Sequence, residues 1–233
     1  MSLLTICTNA LQEIGGFAIP SSFYGSTDST AKQCVALVTR EGNSLVRECR
    51  WSALITSATI ATVSGTANYD LPAGFQAFAN MSQFDRTNYL GLIGPTDPYV
   101  WNFLKSGISA TLTINRWFRV QNGDIYIHPT PSVTGDTIAY DYYSKYWIVK
   151  QVDSSNVAAF TSDNDTSRLD EELLTMGLKW RFLQAQGMPY EPEYKEYEAI
   201  KTELQSDDGG RGVITLGKQF LNSTQIPDTG FGA

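Results

Sequence analysis

The sequence predicts an α+β fold, with a helical hairpin and C-terminal helices packed with a small antiparallel β domain, followed by an extended C-terminal arm. Three observations predict it. Apolar residues recur at helical spacing near both ends of the folded part. Alternating and β-branched runs, broken by turn residues, fill the middle. After Gln205 the chain is rich in Gly, Ser, Thr and Asp with isolated apolar residues, a composition that cannot build a core of its own. The organisation that follows is a helical core of 1–55 and 166–205, a β-rich domain of 56–165 and an arm of 206–233.

In the first helix Leu3, Cys7, Ala10, Leu11 and Ile14 fall on one face, and Gly15-Gly16 stops it. Asp28 or Ser29 caps a second helix with a stripe of Ala31, Val35, Val38, Leu45 and Cys49; Gly42 weakens its middle. The short loop between the two suggests an antiparallel pair. "ATIATVSGTANYDLP" reads as a hairpin about Ser64-Gly65, and "GFQAFANMSQFDR" as a further strand. "YLGLIGPTDPYVWNFL" gives a strand, a Gly-Pro turn and a short helix with Pro98 at its first position. "TLTINRWFRVQNGDIYIHPTP" places two strands about Asn122-Gly123, a strong hairpin signal. In "DTIAYDYYSKYWIV", Ile138, Tyr140 and Tyr142 alternate with Asp141 and Tyr143. About five to seven strands are expected in all, as a sheet or sandwich.

"DSSNVAAFTSDNDTSR" reads as a polar loop. Ser167 and Asp170 then fit a capping box for a helix striped by Leu169, Leu173, Met176, Trp180 and Leu183. Gly187 ends it and Pro189 prevents its return. A last helix begins near Pro192 with Tyr190, Tyr194, Tyr197, Ile200 or Lys201, and Leu204 along one face. The spacing makes Leu173, Met176, Trp180, Leu183, Tyr194 and Tyr197 packing residues, facing a core or a neighbouring copy. The acids between them are expected on a solvated face, with Glu198 and Lys201 able to pair.

Formal net charge is −7, which argues against a general nucleic-acid binder. The odd set Cys7, Cys34 and Cys49, without a CxxC, reads as buried free thiols of a reducing compartment. With one histidine a zinc site would have to recruit distant ligands, so neither metal nor cofactor is expected. The start has no basic n-region, no apolar run approaches a membrane span, and synthesis in the cytoplasm is expected.

No catalytic set emerges. Glu171 and Glu172 are adjacent and point about 100° apart on a helix. Asp207-Asp208 sits in a glycine-rich stretch without rigid support. His128 lies at a strand end with no nucleophile turn in the chain, and "SDDGGRG" is not a P-loop. The residues describe a non-enzymatic interaction protein. In the arm, Val213, Ile214, Leu216, Phe220, Leu221, Ile226 and Phe231 are too many for an indifferent tail, and a segment that orders on a partner accounts for them.

Order and phrasing together resemble a known family. After the helical start come "YDLP", "NGDIYIHPTP", "YDYYSKYW" and "LDEELLTMGLKWRFLQAQGMPYEPEYKEYE", of which "ELLTMGLKWRFLQAQG" is the most telling. In these the chain resembles the head-to-tail adaptor (tail accessory factor) of short-tailed bacteriophages. The resemblance implies a structural virion protein at the head-tail junction, made in the host cytoplasm. It implies a ring of copies, a dodecamer, docked beneath the portal protein, with helices packed between copies and the β domain toward the tail nozzle or hub. The arm would climb onto the portal, and DNA would pass through the channel without specific binding. Other readings stay open: another head-closure or tail-tube ring protein, or a cell-wall-degrading or carbohydrate-binding protein using Trp117 or Tyr143.

Overall fold

A computed structural model describes residues 2–79, 82–106 and 115–208. The arm residues Val213, Ile214, Leu216, Phe220, Leu221, Ile226 and Phe231 lie outside the described residues, as does the beginning of "TLTINRWFRV". The fold is α+β, with five α-helices and antiparallel sheets among the described residues. The described residues divide into two units, one of 2–56, 72–79 and 141–208, the other of 57–71, 82–106 and 115–140.

In the first unit, helix α1 (Leu3–Ile14) begins at Ser2, whose hydroxyl accepts from Thr5 N–H, and ends at Gly15, where φ is 69°. Helix α2 (Ser29–Glu48) is capped by Asp28, which accepts from Thr30 N–H at 2.9 Å. Helix α4 (Glu171–Ala185) packs against α1, α2 and α5 (Glu191–Asp208). Helices α1 and α2 contact each other, as a helical hairpin requires, and each packs more extensively on α4. The single stripe on α4 is corrected by that packing. Leu173, Leu174, Thr175, Gly177, Leu178, Trp180, Phe182 and Leu183 are all buried, since a helix with neighbours around it is apolar on most sides. Its cap is Asp170, accepting from Leu173 N–H at 2.8 Å, rather than Ser167, whose hydroxyl instead accepts from Leu169 N–H.

The stretch expected to be a polar loop contains strands β10 (Asn156–Val157) and β11 (Thr166–Ser167), both paired with β9 (Ile148–Val149). Asp165 organises it. Its fully buried carboxylate accepts from Thr161 N–H at 2.6 Å, Thr161 Oγ1 at 2.8 Å, Ser162 N–H at 2.9 Å and Gln151 N–H at 3.2 Å. Burial alone would raise its pKa, but these bonds outweigh it and hold the carboxyl below its ordinary range.

In the second unit the Asn122-Gly123 turn joins β6 (Trp117–Gln121) to β7 (Asp124–His128), with φ of 56° and 89° at the two turn residues. Helix α3 (Pro98–Lys105) starts with Pro98 in its first turn. The first expected hairpin does not form. Strand β1 (Ile55–Ala61) pairs with β8 (Thr137–Ser144), whereas β2 (Asn68–Asp70) pairs with β7. The turn between β1 and β2 bonds elsewhere: Gly65 N–H donates to Pro131 C=O at 2.9 Å and Ser64 Oγ to Ser132 C=O at 2.9 Å. Strand β8 pairs with β4 (Phe84–Asp85) through Ile138 and Ala139, and β5 (Leu90–Gly91) extends β4; the end of β8 that belongs to the first unit, Tyr142 to Ser144, pairs with β3 (Phe75–Phe78) of that same unit. Eleven strands among the described residues exceed the five to seven expected, because several are two residues long and carry no periodic signal.

Candidate assembly surfaces

The aromatic residues of α4 and α5 form one cluster. Trp180 meets Tyr194 edge-on at 5.0 Å between ring centroids, with Tyr197 at 5.9 Å and Tyr190 at 6.3 Å, and the Arg181 guanidinium lies 4.4 Å over its ring. Leu173, Trp180, Leu183 and Tyr197 are buried within the chain, and Met176 is half-buried. Tyr194 is 39% exposed, as is Met188 in the turn between the helices, so these two large side chains of the region face solvent.

Beneath the cluster is a group that sequence reasoning missed. Glu41 of α2 is fully buried, and its carboxylate accepts from Arg181 Nε and from the Tyr197 hydroxyl. A buried carboxylate needs such partners, because an unpaired one is strongly disfavoured. Burial first, then the Glu41 charge, pushes the Tyr197 hydroxyl far above its ordinary pKa, so it stays a donor. Gly177 makes the arrangement possible: a Cβ there would stand 2.5 Å from Glu41 Cγ. The available signal was a glycine inside an otherwise strong helix, which often marks a close approach. At the rim Lys201 pairs with Glu198 at 2.7 Å, as the spacing suggested, and with Glu48 at 3.2 Å.

Near the end of α5 lies an open groove of about 760 Å³. Buried Trp51 and Leu169 and half-buried Leu204 give it apolar surface. Glu172 and Asp207 stand exposed along it. Asp207 and Asp208 belong to α5, which corrects the expectation that they lack support; Asp208 accepts from Ser52 N–H at 2.7 Å and also bonds the Ser52 hydroxyl.

In the second unit Arg116 bridges Asp85 and Asp136, each at 2.6 Å. The hydrogen bond from Arg116 holds the Asp136 carboxyl below its ordinary pKa, helped by Asn88. Exposed Tyr99 and Phe103 lie one turn apart on α3. His128 is half-buried against Trp101, and burial followed by the nearby Lys105 charge lowers its pKa. Cys7 and Cys34 are buried, Cys49 is half-buried, and all are free. Burial pushes their thiols up, that of Cys34 to about 12, which disfavours the thiolate form. Among the described residues no group of His, Cys, Asp and Glu is placed to hold a metal, and no helix is long and apolar enough to cross a membrane.

The arrangement is one of packing, ion pairs and exposed apolar side chains. A comparison with family models matches residues 1–215 to the SU10 adaptor protein family. No curated protein matches the chain.

Proposed function

The chain belongs to the SU10 adaptor protein family, and from that premise we propose that copies of this structural virion protein form a ring joining the portal to the tail. The observation that carries the reading is the span of the match. Residues 1–215 take in both units and every described residue, so the helical and β parts enter the likeness together. The role is mechanical rather than enzymatic: to join, seal and line a DNA channel through which the genome is ejected.

In this reading the helical unit packs copy against copy, using side chains such as Tyr194 and Met188. The ring is a dodecamer at the head-tail junction, assembled in the host cytoplasm. The β-rich part meets the tail nozzle or hub, and the arm holds the portal through Val213, Ile214, Leu216, Phe220, Leu221, Ile226 and Phe231. Contacts of modest strength suffice, since copies linked in a ring share a high effective concentration. A net charge of −7 suits a wall past which DNA slides.

Deleting the chain after Gly212 tests the reading. A folded protein that no longer joins the portal is the expected result. A truncated chain that still assembles, in particles that retain DNA, would move the portal contact off the arm. No specific observation favours sugar binding: Trp117 and Tyr143 stand on β6 and β8, strands of different sheets.

A further inference from the structure

We propose that the groove beside the end of α5 receives residues 211–221 of the same chain. Its surface is mixed in a particular way. Trp51, Leu169 and Leu204 are apolar, while five carboxylates line it against the single guanidinium of Arg168. Such a groove fits a segment that alternates apolar anchors with basic side chains and carries no acid.

The chain has that segment, and it starts beside the groove. Helix α5 ends at Asp208, itself part of the groove wall and tied to Ser52. Gly209-Gly210 follow, and glycine accepts the backbone conformations a sharp reversal needs. Then come Arg211, Val213, Ile214, Leu216, Lys218, Phe220 and Leu221, with no Asp or Glu between Gly209 and Leu221. Arg211 and Lys218 complement Glu172 and Asp207, and the apolar side chains cover half-buried Leu204. A tether this short gives the segment an effective concentration in the millimolar range, so weak contacts are enough.

The inference stands whether or not the arm joins a portal. If it does, the same anchors cannot occupy both places, and portal docking must draw the segment out of the groove.

Limited trypsin digestion of the full-length protein tests this, read by product mass. Trypsin cuts after Arg211 and Lys218, and occupancy should slow both cuts. The Glu172→Gln/Asp207→Asn variant changes two exposed side chains and adds no tryptic site. Both sites should be cut about tenfold faster in it, because cleavage follows the population of the open form. Raising salt to about 0.5 M should accelerate cleavage of the parent protein by screening the same charges. Equal rates in parent and variant, unmoved by salt, would overturn the proposal. Protection that vanishes on dilution would overturn the same-chain assignment and place a second copy's segment in the groove. Digestion is read on the protein alone, so failure here is distinct from failure of the truncated chain to join a portal.

Discussion

Replacing Gly42 by alanine sets helix propensity against packing, and the two give opposite signs. Position 42 lies inside α2, where alanine is favoured over glycine by ~1 kcal/mol. In the fold, a Cβ at this position would overlap the indole carbons of Trp147. That ring cannot step aside cheaply. It is fully buried, its Nε1–H donates to Asn43 Oδ1 at 3.1 Å, and it meets Phe160 edge-on at 5.3 Å. Overpacking a filled core costs ~1–3 kcal/mol and sometimes more, and an overlap with ring atoms belongs at the upper end. Net destabilisation should be about 2 kcal/mol, measured by urea unfolding with the slope unchanged. In a Trp147→Ala background the overlap is gone, and Gly42→Ala should become stabilising by up to ~1 kcal/mol. A neutral or stabilising effect in the parent protein would show that Trp147 does not crowd position 42.

Trp180→Ala should cost ~3–5 kcal/mol, since the ring is 8% exposed among three tyrosines and Arg181; an unchanged urea midpoint would remove it from the core. Asp136 and Asp165 have depressed pKa values, so their contribution is present above the ordinary carboxylate range and lost as pH falls through their folded values. Stability should therefore drop below about pH 4, and Asp165→Asn should flatten that drop; an unaltered acid profile would contradict the assignment. The purified protein should bind DNA weakly or not at all at ~0.15 M salt, whereas tight and strongly salt-dependent binding would point to DNA processing.

Features set by local chemistry were legible in the sequence. The Asp28 cap, the Gly15 stop, Pro98 at the start of α3 and the Asn122-Gly123 turn each need only a few neighbouring residues. Partners distant in the chain were not. Strands β1 and β2 looked like a hairpin because a turn lies between them, but the bonds that place them come from β8 and β7. The aromatic stripe was found, yet Tyr194 is partly exposed where the spacing alone made it equivalent to buried Tyr197. Glu41 carried no local mark of burial, since its partners Arg181 and Tyr197 come from two other helices. The helical glycines 42 and 177 were the visible traces of close approach, and only the fold identifies Trp147 and Glu41 as what approaches them.

In the proposed assembly, copies of this chain form a ring on a portal. The mass of a purified portal ring, measured before and after incubation with the full-length protein, tests it most directly. One discrete complex is expected, heavier by a full ring of copies, a dodecamer, with no partly filled species dominating at saturation. A portal whose mass does not change, while the protein remains folded beside it, would rule out the ring.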